Sequence, residues 1–282
     1  MQVYAFIDGS PIATAVCDAA AWTSLRVQVP LKLVHVLERA ETNLSGDLSG
    51  SLGMDSREHL LDELVALDER RSKLALEHGQ HMLAAAQDRV REDGVKQVSV
   101  MQRHGSLVDT VAEMDKDIRV MVLGRLGEGH ECSAHTIGSH LENVIRTSHR
   151  PILVAMPEFS VPGNFMIAYD GSSTAEKALD MVVASPLLKG LPCHLVTVCP
   201  AGDERLSQVE HAAQKLRSAG FEVVNERLEG DVHDALAAYQ KDRGIELLVM
   251  GAYGHSRIRQ FFVGSNTSRI VSLSDIPVLL LR

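Results

Sequence analysis

The chain carries the same succession of short motifs twice, and this repetition constrains its fold more than any other feature. "YAFIDGS" (4–10) matches "MIAYDGS" (166–172), and "LKLVHV" (31–36) matches "CHLVTV" (193–198), both at an offset of 162 residues (170 − 8 and 198 − 36). Two further pairs follow at an offset near 127 (254 − 127). They are "VMVLGRLG" (120–127) with "LLVMGAYG" (247–254), and "GSHLENVIRTSHRPILV" (138–154) with "GSNTSRIVSLSDIPVLL" (264–280). The chain is therefore predicted to be a duplicated domain.

A length of 282 residues is comfortable for two domains. We predict a first domain over 1–157 and a second over 163–282, and we call these the first and second repeats. They join near "MPEFSVPGN" (156–164), which is punctuated by proline and glycine. The fall in offset by about 35 residues predicts an insertion in the first repeat, at 41–93.

Within each repeat, short apolar runs alternate with helical patterns. In the second repeat five such runs are separated by four helical segments. This alternation predicts an α/β fold, in which each domain is a five-stranded parallel sheet with helices on both faces, as in Rossmann-like proteins. Ligands of such sheets bind at the carboxyl ends of the strands, so the site is expected there.

The insertion has two predicted parts. Residues 41–56 are rich in Gly and Ser and are typical of a loop, and a long helix is expected from Arg57 to about Asp93. Asp55 and Glu58 suggest a capping box at its start, and Gly79 is a candidate break. A helix lengthened on the domain surface and a dedicated partner-binding arm are both compatible with this pattern.

Composition excludes several classes of protein. A formal net charge of −9 argues against a general binder of nucleic acid or anionic membranes, although a local basic patch stays open. The start lacks a signal peptide pattern, and no apolar run is long enough to span a membrane. The four cysteines, which form no CxxC pair, are Cys17, Cys132, Cys193 and Cys199. These features predict a soluble, cytoplasmic protein with reduced thiols.

The strongest candidate site is "GAYGHSRIRQFFVGSNTS" (251–268) in the second repeat. Gly251 and Gly254 follow a strand, where a missing Cβ lets the backbone approach a ligand. Gly264 and Ser265 then open a helix, whose free N–H groups and dipole favour an anion. Arg257, with Arg259, could neutralise phosphate charge from the connecting loop. The alternative is a loop whose glycines serve only turns and a helix cap.

Asp8 and Asp170 end the first strand of their repeats, at the same edge as the glycines. A carboxylate there can accept from a ribose hydroxyl or an adenine amino group, or hold a metal beside phosphates. Asp-Gly-Ser is also typical of an Asx-turn or a helix cap. The recurrence of the acid beside two glycine loops favours the ligand.

The equivalent loop of the first repeat, "GRLGEGHECSAHTIGS" (124–139), is one residue longer between its glycines. His130, Cys132 and His135 suggest a metal, but no fourth ligand lies at zinc-like spacing, so a solvated loop is favoured. We find no GxSxG, no Walker A sequence and no SGGxDS loop, which leaves no candidate catalytic residue.

The second-repeat loop resembles the G-x2-G-x9-G-[S/T] nucleotide motif of the universal stress protein family. The Asp-Gly-Ser strand ends, the "LVHV"-like second strands and the final strand "IPVLLL" fit as well, so the resemblance covers essentially the whole chain as a tandem two-domain member. It implies the adenine nucleotide alpha hydrolase-like fold in each domain. It also implies ATP, AMP or ADP as ligand, with or without Mg²⁺.

The resemblance assigns roles to residues in both repeats. In the second repeat it implies adenine or ribose contacts from Asp170 and Val198, sugar contacts from Met250 and Gly251, and phosphate contacts from Gly254, Gly264, Ser265 and Asn266. In the first repeat the corresponding residues are Asp8, Val36, Gly124, Gly127, Gly138 and Ser139. The family also pairs domains through the last strand, which here predicts an internal pseudo-dimer of "RPILVAM" with "IPVLLLR"; a homodimer is an additional possibility.

Three functions remain open from the sequence. The first is a nucleotide-binding stress-response or signalling module with an unknown protein partner. The second is a slow ATPase or an autophosphorylating phosphotransferase, and the third is an interaction scaffold independent of nucleotide. Phosphate clamps without an evident catalytic base favour the first, so at most weak enzymatic turnover is expected.

Overall fold

The computed structural model describes residues 1–38, 54–127, 138–203, 205–252 and 265–282, and of residues 54–62, 139, 265 and 266 the backbone only. The predicted alternation is present in the first repeat. Its elements are β1 (Gln2–Phe6), α1 (Ala13–Val27), β2 (Leu31–Leu37), α2 (Met54–Glu92), β3 (Val98–His104), α3 (Leu107–Met114), a 3-10 turn (Asp115–Asp117), β4 (Ile118–Gly124), α4 (Ser139–Thr147) and β5 (Ile152–Ala155).

The second repeat follows the same order with shorter connections. Its elements are β6 (Phe165–Ala168), α5 (Ser173–Ala184), β7 (Cys193–Val198), α6 (Leu206–Ser218), β8 (Val223–Leu228), α7 (Val232–Arg243), β9 (Leu248–Gly251), α8 (Ser265–Leu273) and β10 (Val278–Leu281). The α/β fold class predicted from the duplicated pattern is thereby confirmed in both repeats.

All ten strands form one sheet, in the order β3-β2-β1-β4-β5-β10-β9-β6-β7-β8. Strands within each repeat pair in parallel, whereas β5 and β10 pair antiparallel with Leu153 opposite Leu279. The predicted pairing of the two last strands within one chain is confirmed. Because the central pair is antiparallel, the strands of the two repeats run in opposite directions. Their carboxyl ends therefore lie on opposite edges of the sheet.

Helices cover both faces of this sheet. Successive residues of β1 alternate between the faces, with Val3 and Ala5 in one apolar cluster and Tyr4 and Phe6 in the other. The first cluster is completed by α1, α2, α5 and α6, and the second by α3, α4, α7 and α8. Each cluster thus draws on both repeats. The division of the chain into domains at 157 and 163 stays a prediction.

Helix α2 differs from its sequence prediction at two points. It begins at Met54, three residues before the predicted start at Arg57, so Asp55 lies inside its first turn and not at the N-cap position. It also continues through Gly79, and the prediction of a break there was wrong. A Cβ on Gly79 would lie 2.2 Å from Gln102 Nε2 and 2.6 Å from His35 Cδ2. The glycine is therefore explained by the close approach of α2 to β2 and β3.

The seam between the repeats is closed by side chains as well as by strands. Arg26, at the end of α1, donates through Nε to the carbonyl oxygen of Leu187 (2.9 Å) and through Nη2 to that of Lys189. The ring of Trp22 lies 6.0 Å from that of Phe159 in the connecting segment. In the described part of the chain, no helix is long and apolar enough to cross a membrane.

Candidate nucleotide site

The carboxyl edge of the first repeat brings three predicted residues together. Asp8 follows β1, and a Cβ on Gly127 would lie 3.1 Å from its Oδ2 atom. A Cβ on Gly138 would lie 3.6 Å from the backbone nitrogen of Gly127, and the Gly138 N–H donates to the carbonyl oxygen of Arg125 at 3.1 Å. Residues from three separate parts of the sequence thus form one backbone-lined recess beside a carboxylate.

Gly138 is the N-cap of α4, with an extended backbone (φ −60°, ψ 137°). A glycine offers no side-chain acceptor, so it leaves the N–H groups of the first helical turn for another acceptor. Together with the helix dipole, these groups favour an anion at this point. Ser139 is the first residue of the helix, and its side chain lies outside the described atoms.

Gly124 and Gly251 end β4 and β9, and both lie against the start of the first helix of their repeat. A Cβ on Gly124 would lie 2.6 Å from Ile12 Cγ2, and one on Gly251 would lie 3.0 Å from the backbone of Thr174. Ile12 and Thr174 occupy equivalent positions at the repeat offset of 162 (174 − 12). Close helix packing accounts for both glycines, and their contact with a ligand stays a prediction.

Asp8 and Asp170 form the turn that the Asp-Gly-Ser motif predicts. Asp8 accepts from the backbone N–H of Ser10 at 3.1 Å and from its hydroxyl, and Asp170 accepts from the N–H of Ser172 at 2.9 Å. Ser172 caps α5 by accepting from the Ala175 N–H at 3.1 Å. These bonds fix each carboxylate at the carboxyl end of the first strand. The turn and a ligand role are compatible, since a carboxylate has several acceptor positions.

Val36 and Val198 are half-buried near the ends of β2 and β7. Beyond Val36 an open groove of about 450 Å³ is lined by Glu38, His104, Gly105 and Ser106. Sequence reasoning missed this groove. Its signal was available in part, because Glu38 and His104 are polar residues that end or directly follow two neighbouring strands.

Glu38 connects the groove to two helices of the same face. Its Oε1 atom accepts from the N–H of Leu107, at the start of α3, and lies 3.3 Å from Nδ1 of His140 in the first turn of α4. A carboxylate therefore lies beside the helix start that carries Gly138. An anion entering here would meet this negative charge as well as the helix dipole.

The second repeat has a different arrangement over its first turn. Gly171 has a left-handed backbone (φ +74°), and a Cβ there would lie 2.7 Å from Gln208 Oε1 and 3.6 Å from Arg205 Cδ. Arg205 donates to both carboxylate oxygens of Asp203, at 2.9 and 2.7 Å. This bidentate pairing, with a further hydrogen bond from the backbone N–H of Arg205, lowers the pKa of Asp203 to about 2, and the pairing raises the pKa of Arg205. Sequence reasoning missed this pair.

The remaining predicted residues are described in part. Met250 is buried in β9, and α8 begins at Ser265 as expected for a helix opened by Gly264. Gly254, Arg257, Arg259 and Gly264 lie outside the described residues, as do the side chains of Ser265 and Asn266. His130, Cys132 and His135 lie outside them too. Among the described residues, no group of three or more His, Cys, Asp or Glu could hold a metal ion.

Comparisons with known proteins identify the family of this chain. The model of the universal stress protein family matches residues 2–155 and 200–282. A universal stress protein of Synechocystis sp. is 35% identical over 279 residues, which cover 98% of this chain and 97% of the relative. One from Mycobacterium tuberculosis is 25% identical over 303 residues, covering 98% and 94%.

A solved structure supports the fold over the full length. A universal stress protein from Archaeoglobus fulgidus superposes with a TM-score of 0.69 at 18% identity, covering 100% of this chain and 98% of that chain. The family match spans most of the sequence, and the 35% identical relative is covered almost end to end. The chain therefore belongs to the universal stress protein family, as a member with two tandem copies of the family's fold.

Proposed function

We propose that this protein binds an adenine nucleotide at the carboxyl edge of each repeat and acts as a stress-response or signalling module. Its output would be the nucleotide-bound state, read by a protein partner, and not rapid turnover. The observation that carries the proposal is the convergence of Asp8, Gly127 and Gly138 at one point of the first repeat.

The chemistry of these groups suits a ligand that joins a sugar to phosphates. A carboxylate at the end of a first strand can accept hydrogen bonds from ribose hydroxyls or an adenine amino group. Gly127 removes side-chain bulk between that carboxylate and the helix start at Gly138, and the first-turn N–H groups can then donate to phosphate oxygens. ATP, ADP and AMP share this chemistry, with or without Mg²⁺.

The two sites are proposed to be unequal, with the second repeat binding more tightly. The second repeat carries the full glycine spacing of the family motif, with Arg257 in the loop between its glycines. The first repeat has one residue more in that loop and presents Glu38 beside its helix start. An added negative charge close to phosphates lowers affinity.

Calorimetric titration with ATP and Mg²⁺ tests this proposal in four variants. Wild type should bind two nucleotides with different affinities, Gly264→Val should lose the tighter site and Gly138→Val the weaker one. The double variant should bind none. A valine at 138 has its Cβ at ordinary contact distance, 3.6 Å, from the nearest backbone atoms, so the fold should tolerate it.

A matched control is Gly163→Val in the connecting segment. Among the described residues its Cβ would meet only the carboxylate end of Glu246, at 3.3 Å, and both affinities should be unchanged. Absence of ATP binding by the wild-type protein at millimolar concentration would refute the proposal. Phosphate release measured in the same samples separates binding from slow hydrolysis.

A further inference from the structure

Arg125 links the site of the first repeat to a helix of the second. Its side chain is buried, and Nη1 donates to the carbonyl oxygens of Ser272 (3.2 Å) and Ser274 (3.0 Å), at the carboxyl end of α8. Its own carbonyl oxygen accepts from the N–H of Gly138, the N-cap of α4. Arg125 is thus hydrogen-bonded both to the start of α4 in the first repeat and to the end of α8 in the second.

Arg282 makes the reciprocal link. Its Nη1 atom donates to the carbonyl oxygens of Arg146 (2.9 Å) and Ser148 (2.7 Å), at the carboxyl end of α4. Arg282 directly follows β10, and the carbonyl oxygen of Leu281 accepts from the N–H of Ala252 at 2.7 Å. Ala252 is the residue after Gly251, so Arg282 lies beside the strand end of the second repeat's site.

The antiparallel seam explains why these links cross between repeats. The carboxyl ends of the strands, where the two sites lie, are on opposite edges of the sheet. Helices α4 and α8 each run from the edge that carries the site of their own repeat to the edge that carries the other site. A helix of nine residues is about 13 Å long. At its far end the last carbonyl groups need donors, and an arginine supplies them and complements the helix dipole.

Duplication alone does not account for the two arginines. At the offset of 127 that relates β4 to β9, Arg125 corresponds to Ala252, and at the offset of 126 that relates 138–154 to 264–280, Arg282 corresponds to Met156. Each arginine therefore occurs in one repeat only. Apolar packing does not explain Arg125 either, because burying this side chain leaves its Nε–H without a hydrogen-bond partner in the described part of the chain. A buried donor without a partner costs free energy, which argues that the guanidinium serves its two carbonyl contacts.

We infer that Arg125 and Arg282 are positioning residues that couple the two nucleotide sites, an inference that rests on the proposed function. Arg125 orders α8 and so holds the second repeat's phosphate-binding helix start in place. Arg282 does the same for α4 and the first repeat. Nucleotide at the first site would fix Gly138 and, through the backbone of Arg125, the end of α8. Occupation of one site would therefore raise the affinity of the other.

The test separates the two sites with Gly127→Val, which blocks the first and spares the bond between Gly138 and Arg125, and with Gly264→Val, which blocks the second. In the first background, Arg125→Met should weaken ATP binding at the remaining site by roughly tenfold. In the second background, the same change should alter the affinity by less than about threefold. Arg282→Met should show the opposite pattern, and Arg125→Lys should recover part of the loss.

Arg26→Met is the matched control, because it removes a cross-repeat contact between an arginine and carbonyl groups that involves neither α4 nor α8. Both ATP affinities should be unchanged in it. The inference is overturned if Arg125→Met weakens both sites equally, weakens neither, or acts only on its own repeat's site. If Arg125→Met does not fold, the comparison of Arg125→Lys with wild type decides in the same way.

Hydrogen exchange without nucleotide keeps the inference distinct from the proposed function. Arg125→Met should speed amide exchange in α8 and leave α4 unchanged, whereas Arg282→Met should do the reverse. If the wild-type protein binds no ATP but the two variants show this crossed exchange pattern, the proposed function is refuted and the crossed positioning is retained. Uniform changes in both helices would refute the crossed positioning whatever the nucleotide result.

Discussion

The two repeats share the backbone arrangement at their strand ends and differ in the charged residues near it. In both, an aspartate accepts from the serine two residues on, and a glycine at the end of the fourth strand lies against the start of the first helix. The charges near the site entrance do not correspond. Glu38 and His140 occupy the first repeat, whereas the pair Asp203 and Arg205 occupies the second.

After the duplication, the residues that shape the strand ends have therefore stayed more alike than those that set the local charge. The position of Glu38 is occupied in the second repeat by Pro200 (38 + 162). Strand ends of similar shape can then present different electrostatic surroundings to a ligand. The two sites of one chain would consequently differ in affinity without differing in fold.

The largest expected effect tests whether the two repeats are stabilised by shared apolar clusters. Leu153 and Leu279 are equivalent residues, are fully buried, and face each other across β5 and β10. Leu153→Ala and Leu279→Ala should each lower the free energy of unfolding by about 3 kcal/mol. Because the apolar clusters run through both repeats, the two variants should be equally destabilised.

Urea denaturation with two probes checks this expectation. Trp22, the sole tryptophan, reports on the first repeat by fluorescence, and far-ultraviolet circular dichroism reports on both. Both variants should show coincident transitions in the two probes. A Leu279→Ala protein whose tryptophan transition stays at the wild-type midpoint would show that the repeats unfold independently, which would support the division at 157 and 163.

The next effect concerns helix α2, which is much longer than its counterpart α6 in the second repeat. Gly79→Ala should lower the free energy of unfolding by about 2 kcal/mol, because its Cβ would overlap Gln102 and His35. Helix propensity alone predicts a gain of up to about 1 kcal/mol, so the two arguments give opposite signs. Thermal denaturation decides, with exposed Ser72→Ala in the same helix as the control, which should be neutral or slightly stabilising. A stabilised Gly79→Ala protein would contradict the close packing of α2.

Gly79 also shows where sequence reasoning ends. The duplicated motifs predicted ten strands, and the parallel arrangement followed from the helices between them. The motifs could not show that Gly79 packs against a strand, because a glycine breaks some helices and in others permits a close approach to a neighbouring element. The choice between these roles depends on neighbours that are distant in sequence.

The residues of the candidate site could likewise be predicted only in part from the sequence. Asp8, Gly127 and Gly138 could be chosen from local motifs, since each marks a strand end or a helix start. Arg125 could not, because its partners lie about 150 residues away (274 − 125) and on the other repeat. Contacts that cross a duplication leave no mark in the repeat pattern, since they need not occur twice.

A smaller effect sharpens the comparison of charges. Glu38→Gln should raise ATP affinity at the first site by about threefold and leave the second site unchanged, because it removes a negative charge beside the start of α4. The gain should shrink as salt is added. Calorimetric titration in the Gly264→Val background measures it, with exposed Asp88→Asn on α2 as the control. An unchanged or weaker first site would show that charge does not set the difference between the repeats.

The smallest effect concerns the charge pair of the second repeat. Arg205 lowers the pKa of Asp203 from its ordinary value of 3.8 to about 2. A carboxyl group whose pKa is lowered on folding contributes stability that is fully present well above pH 4. That stability is lost as the pH falls through about 4 to 2, because the unfolded chain takes up the proton first. Arg205→Met should return the pKa toward 3.8 and flatten this part of the stability curve.

Titration of the Asp203 carboxyl carbon by nuclear magnetic resonance measures the pKa directly, and urea midpoints between pH 2 and 5 measure the linked stability. The stability change should be slight, since Asp203 and Arg205 are partly exposed and the pair is screened by solvent. Asp203→Asn should flatten the curve more completely than Arg205→Met, because the backbone N–H of residue 205 still donates to the Asp203 carboxylate in the arginine variant. An Asp203 pKa near 3.8 in the wild-type protein would mean that the guanidinium does not fix this carboxylate, and the second repeat's edge would then lack the ordered charge pair that distinguishes it from the first.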